Sequence, residues 1–208
     1  MKWTGKRILK LLGATFILGF GVFTFFFFKY SNKIQPIKHF AKYGAIPYFK
    51  LVNQLGDTVT VDDLKGYIWI TDFIFTNCPG MCPRLTDKMK MLQDEFHDDP
   101  KVKFVSITVD PERDSVAALM EFAAMKKANM GRWWFLTGSK EELYKLSREG
   151  FKLAVMDTAN GNESFTHSEK FTMVDTNGEI RGYYNGTDSA DVNKLIGDIQ
   201  TLSLEKIN

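Results

Sequence analysis

The sequence predicts an α/β domain, a mixed sheet with helices packed against it, preceded by one N-terminal transmembrane helix. Three observations predict the domain. Apolar strand-like runs alternate with amphipathic helical runs, the alternation closes with a hairpin and a helix, and the roughly 160 residues beyond residue 46 suffice for one self-sufficient core. Lys and Arg number 27 against 25 Asp and Glu, a net charge of +2. That balance gives no reason to expect a nucleic acid or an acidic substrate.

The chain begins Met1-Lys2-Trp3-Thr4-Gly5-Lys6-Arg7 and is then apolar from Ile8 to Phe28, broken only by Lys10. From Leu11 to Phe28 there is no charge, which at about 1.5 Å per helical residue crosses most of a bilayer, with Lys10 reaching back to the interface. The preceding cations place the N-terminus in the cytoplasm and the rest of the chain outside it. No small-x-small cleavage site follows Phe26-Phe27-Phe28, and no cysteine there can take a lipid, so an uncleaved single-pass anchor is expected over residues 1–30. In a bacterium this is the inner membrane, with the C-terminal domain in the periplasm or an equivalent extracytoplasmic space. Residues 31–46, carrying Lys33, Lys38, His39 and Lys42, read as a tether, and residues 47–208 as the domain.

Runs 47–52 and 59–61 flank Asn53-Gln54-Leu55-Gly56-Asp57 as a hairpin. Tyr67 to Phe75 is apolar on both faces, as in a central strand covered on two sides. Leu85, Met89, Leu92 and Phe96 recur at helical spacing, and Val102 to Val109 is a second buried strand. Asp110-Pro111-Glu112-Arg113-Asp114 makes a turn, with Asp110 and Asp114 read as caps of the turn and of a helix that starts at Ser115. Trp133 to Leu136 is a third strand, with Trp133-Trp134 read as packing. Ser139-Lys140-Glu141-Glu142 reads as a capping box for a helix to about Glu149, capped by Gly150. Phe151 to Met156 is read as a strand and Asp157 to Phe165 as a loop. Lys170–Val174 and Glu179–Tyr184 flank Asp175-Thr176-Asn177-Gly178 as a second hairpin, and the last helix runs from Ser189 to about Leu204.

Between the first buried strand and its helix lies Thr76-Asn77-Cys78-Pro79-Gly80-Met81-Cys82-Pro83, which holds the only two cysteines. The positive end of a helix dipole favours thiolate there and lowers cysteine pKa from its free value of about 8.5. If the turn is helical, Cys78 and Cys82 at i and i+4 share a face, roughly 6 Å apart at the backbone and within disulfide reach. Three fates are open to them: a permanent disulfide, which over so short a loop stabilises little; a cycling redox pair; or a soft-metal site suited to Cu(I). A cysteine pair at this strand-to-helix switch makes the fold thioredoxin-like.

The motifs Phe75-Thr76-Asn77-Cys78-Pro79-Gly80-Met81-Cys82-Pro83, Val109-Asp110-Pro111-Glu112-Arg113-Asp114 and Thr166-His167-Ser168 together resemble the Sco/SenC copper chaperones of cytochrome c oxidase assembly, over nearly all the chain beyond the anchor. The three residues between the cysteines separate the chain from thioredoxins, which have two. The resemblance implies copper ligation by Cys78, Cys82 and His167, with the cysteines also redox-active. It further implies a partner in cytochrome c oxidase subunit II or another copper-receiving protein. Two thiolates and one loop-borne imidazole form a three-ligand set that suits Cu(I) and leaves the metal open to handover.

Other residues invite weaker roles. Met81 offers a thioether but reads as exposed filler. Asp72, an acid in an apolar strand near the thiols, is either a proton acceptor or, more simply, a hydrogen-bonded structural acid. His97 complements a helix C-terminus. Two function classes remain: a copper-delivering or cysteine-reducing chaperone, and an extracytoplasmic thiol:disulfide oxidoreductase without a metal role. A thiol peroxidase and a zinc site are weaker, the latter for want of a fourth ligand.

Overall fold

The computed structural model describes residues 19–24, 40–77, 82–153, 156–157, 163–164 and 169–205. The chain divides into two units, Met1–His39 and Phe40–Asn208. In the first, residues 19–24 are helical, and the rest of the expected anchor lies outside the described residues. Among the described residues no helix is long and apolar enough to cross a membrane.

In the second unit, seven of the described strands form one sheet in the order β2-β1-β5-β4-β3-β8-β9. They are β1 (Lys50–Asn53), β2 (Thr58–Thr60), β3 (Ile68–Ile74), β4 (Val102–Thr108), β5 (Trp133–Thr137), β8 (Lys170–Val174) and β9 (Ile180–Asn185). A separate two-stranded ribbon pairs β6 (Met156–Asp157) with β7 (Glu163–Ser164). Strands β3, β4 and β5 run parallel, and β1, β2, β8 and β9 are joined antiparallel, so the sheet is mixed as expected. Every residue of β3 is buried, which explains a sequence that is apolar on both faces apart from Thr71 and Asp72: helices cover both of its faces.

The two faces carry two cores. Ile70 and Ile74 of β3 face Leu85, Met89 and Leu92 of α1 (Cys82–Glu95), Leu119 of α2 (Val116–Met125) and Leu195 of α4 (Ser189–Leu204). Trp69 and Phe73 face Leu143 and Tyr144 of α3 (Lys140–Lys145), and the Phe151 ring stands edge-on to both, with centroids 5.9 and 5.3 Å away. This even/odd division is the period-2 alternation of a strand read from each side.

Several local expectations need correction. Phe151 to Leu153 is not a strand: Lys152 takes a positive φ of 53°, which breaks extended pairing, and among the described residues of this stretch only Met156–Asp157 is strand, pairing with Glu163–Ser164 in the segment expected to be loop. Gly150 does not adopt a left-handed cap. It closes a π turn (Leu146–Gly150), and a Cβ there would lie 2.9 Å from Leu146 Cδ1 and 3.1 Å from Pro47 Cδ, so a larger residue would crowd both. Ser139 caps α3 by accepting from Glu142 N–H, but the Glu142 carboxylate accepts from Lys50 N–H at 3.0 Å instead of returning to the cap. Residues 43–46, assigned to the tether on composition, pair with the start of β9 and the turn before it: Tyr43 N–H donates to Ile180 O, Ile180 N–H to Gly44 O, and Ile46 N–H to Gly178 O.

Candidate metal and thiol centre

Strand β3 ends at Ile74, and α1 begins at Cys82, so the cysteine motif spans the switch from strand to helix. Cys78, Met81 and His167 lie outside the described residues, and Cys82 is described as the first residue of α1. The third expected ligand, His167, comes just before β8 in the chain. The antiparallel register of β8 with β3, Trp69↔Val174 through Thr71↔Thr172, sets the start of β8 beside the end of β3. His167 precedes β8 by three residues in sequence. Among the described residues, no group of three His, Cys, Asp or Glu side chains is placed to hold a metal.

The described surroundings are tightly built. Gly186, just past β9, lies between α1 and β8: a Cβ on it would fall 2.2 Å from Leu85 Cδ1 and 2.9 Å from Phe171 Cε2. Gly186 N–H also donates to Glu169 O at 2.6 Å, and the Thr187 hydroxyl to Glu169 Oε2 at 2.7 Å. The residue that leads into β8 is thereby tied to the end of β9.

Asp114 is 1% exposed and does not cap α2; the cap is Ser115, whose hydroxyl accepts from Ala118 N–H. Its carboxylate turns back instead. It accepts the Thr76 N–H at 3.1 Å, the Thr76 hydroxyl at 2.5 Å and the Thr108 hydroxyl at 2.5 Å. Thr108 in turn accepts Asp110 N–H at 3.0 Å. Asp110 meets Arg113 at 3.3 Å within the expected turn.

Asp72 is fully buried on the β3 face that α1 covers. Its Oδ1 accepts from the Ser106 hydroxyl at 2.6 Å, and Ser106 accepts from Trp133 Nε1 at 2.9 Å, while Oδ2 has no hydrogen-bond partner. Burial pushes the Asp72 carboxyl up to about 7, against the opposing pull of the Ser106 bond. Trp133 is thus core, whereas half-buried Trp134 stacks under Lys103 Nζ at 3.8 Å. His97 is exposed, with Nδ1 2.8 Å from Asp94 O and Nε2 2.9 Å from Asp98, and stands at the end of its helix as expected.

Sequence reasoning missed Thr76, Ser106 and Gly186. Thr76 carries a faint signal, a hydroxyl residue next to Asn77-Cys78. Gly186 resembles an ordinary turn glycine, and nothing in the sequence pairs Ser106 with Asp72.

The model of the SCO1/SenC family matches residues 40–203. The chain is 34% identical over 174 residues to the SCO1 protein homolog of Bacillus subtilis (strain 168), covering 83% of this chain and 89% of that protein. Among solved structures it is similar to BsSco, described as a member of the Sco family of cytochrome c oxidase assembly proteins. That match has a TM-score of 0.70 at 33% identity and covers 83% of this chain and 100% of the other. It is also similar to Arabidopsis thaliana ScoI with copper bound, with a TM-score of 0.64 at 26% identity, covering 78% and 100%.

Proposed function

The chain belongs to the SCO1/SenC family, and on that premise we propose that it is a membrane-anchored copper-binding protein of cytochrome c oxidase assembly. Copper is its cargo. Cys78, Cys82 and His167 hold Cu(I), and the protein delivers copper to the binuclear site of oxidase subunit II or reduces the cysteines that receive it. The observation that carries this reading is the family match across residues 40–203, which contains all three residues. The β3–β8 register supports it, because the chain that leads into β8 starts from the end of the sheet where β3 leads toward the cysteines. The donor set fits the ion: thiolates and an imidazole suit a soft metal, and three ligands leave it exchangeable.

The test is Cu(I) stoichiometry and affinity on the reduced full chain in detergent, with Cys78→Ser, Cys82→Ser and His167→Ala. One copper per chain, lost with either cysteine and weakened with the histidine, is the expected result. Unchanged affinity in His167→Ala removes the imidazole from the site.

A second reading, a thiol:disulfide oxidoreductase without a metal role, is favoured by Asp72. A buried carboxyl with one unbonded oxygen and a pKa of about 7 is suited to exchanging protons near neutral pH. Absence of copper on the purified protein, together with a reduction potential well below that of its compartment, would select it.

A further inference from the structure

Thr76, just past the end of β3 and two residues before Cys78, is held from outside its own strand. Asp114 supplies that hold from 38 residues away. Both oxygens of this buried carboxylate are engaged, and two of its three donors are on Thr76, two residues before Cys78. The third donor, Thr108, is the last residue of β4, and its hydroxyl also accepts from Asp110 N–H. One side chain therefore joins the end of β3, the end of β4 and the turn at residues 110–114 that opens α2.

We propose that Asp114 is a positioning residue that acts through Thr76 to set how the cysteine motif is presented. Its geometry suits this task better than a merely structural one. A carboxylate needed only to start α2 would bond the N–H groups of that helix, but Ser115 performs the cap. A carboxylate needed only to close the 110–114 turn would bond within it, but that turn is closed by its own backbone: Arg113 and Asp114 N–H both donate to Asp110 O, at 3.1 and 2.9 Å. What remains is the bidentate grip on Thr76, which fixes both the backbone and the side chain of a single residue. The acceptor that holds Thr76 is itself tied to the end of β4 through the Thr108 hydroxyl. Loss of support from behind metal ligands typically costs about 10–100-fold in affinity. Within the turn at 110–114 the Arg113 side chain retains 72% of its surface, whereas Asp114 is buried.

The inference rests on the cysteine pair being the functional group, and its test separates that premise from the inference itself. Reduced full chain in detergent is prepared as wild type, Asp114→Asn, Thr76→Val, Thr76→Ser and, as a core control, Ile199→Val. Cu(I) affinity is read by chelator competition, cysteine alkylation rate on the copper-free protein, and the urea midpoint on each. Asp114→Asn and Thr76→Val are expected to weaken Cu(I) binding by at least about tenfold, and to change the alkylation rate by about threefold or more. Thr76→Ser, which restores the hydroxyl, and Ile199→Val should stay near wild type on both. If Asp114→Asn and Thr76→Val are folded and remain within about twofold of wild type on both readouts, the inference is overturned. A wild type that binds no Cu(I) would sink the copper reading instead, and the alkylation rates alone would then decide the role of Asp114.

Discussion

Arg181 Nη1 donates to Asp175 Oδ2 at 2.7 Å, and the two side chains keep only 5% and 0% of their surface. The same carboxylate accepts Asn177 and Glu179 N–H, so it also shapes the β8–β9 turn, where Gly178 takes a φ of 81°. The guanidinium continues outward to Glu205 at 3.1 Å and lies 5.7 Å from the Phe40 ring centroid. Both ends of the domain thus meet at one cation.

Arg181→Met should cost about 3–5 kcal/mol, because it strands the Asp175 charge in a place water does not reach. Glu205→Gln, at the partly exposed end of the same network, should cost less than about 1 kcal/mol. Urea unfolding of both variants checks the contrast, and equal losses would contradict it.

Gly186→Ala forces a methyl into space held by Leu85 and Phe171. Overpacking of this kind costs about 1–3 kcal/mol, and it wedges the first turn of α1 away from β8. Copper affinity should fall along with stability. Adding Leu85→Ala makes room, so the double variant should be more stable than the sum of the two single losses predicts.

Asp72 gives stability a pH dependence of defined sign. Its ordinary value is 3.8 and its folded value about 7, so between them the native state keeps a proton that the unfolded chain has lost. Stability therefore falls as pH rises from about 4 to about 7 and levels off above that. The difference of about 3 between the two values, at about 1.4 kcal/mol each, bounds the loss near 4 kcal/mol. Asp72→Asn should flatten that part of the profile and gain most, relative to wild type, at pH 8. Unfolding of both proteins at pH 5 and pH 8 measures it, and parallel profiles would refute it.

Gln54 acts as an extra rung beyond β1. Its Nε2 donates to Trp133 O at 3.0 Å and its Oε1 accepts from Phe135 N–H at 2.8 Å, with the side chain 1% exposed. Gln54→Ala leaves two buried backbone groups of β5 unpaired and should cost about 2–3 kcal/mol. Hydrogen exchange at the Phe135 amide should accelerate in the variant; unchanged protection would mean the rung is dispensable.

Elements whose signal is local are legible from the sequence. The two-sided apolar run of β3 has one reading, and α4 runs from Ser189 to Leu204 because Asp188 supplies its cap through Ala190 N–H. Legibility fails where a residue's partner is distant. Gln54 looks like hairpin-turn material until β5 is seen beside it, and Asp114 looks like a helix cap until Thr76 is seen behind it. Lys152 turns the chain where an apolar stretch, Phe151 to Met156, suggests continued strand. The proposed ligands Cys78, Cys82 and His167 are read from their motifs and their family, because neither periodicity nor burial can link an imidazole to sulfurs about ninety residues earlier in the chain.

A sheet whose last strand is bare invites a second copy to pair with it. Here one border, β2, is three residues long, and the other, β9, is covered at its start by residues 43–46 through the Ala45↔Glu179 bridge and its neighbouring bonds. A fragment cut at residue 47, where composition suggests the domain begins, strips that cover and exposes an adhesive margin. Such a fragment should self-associate more than one that keeps Phe40 and the stretch after it.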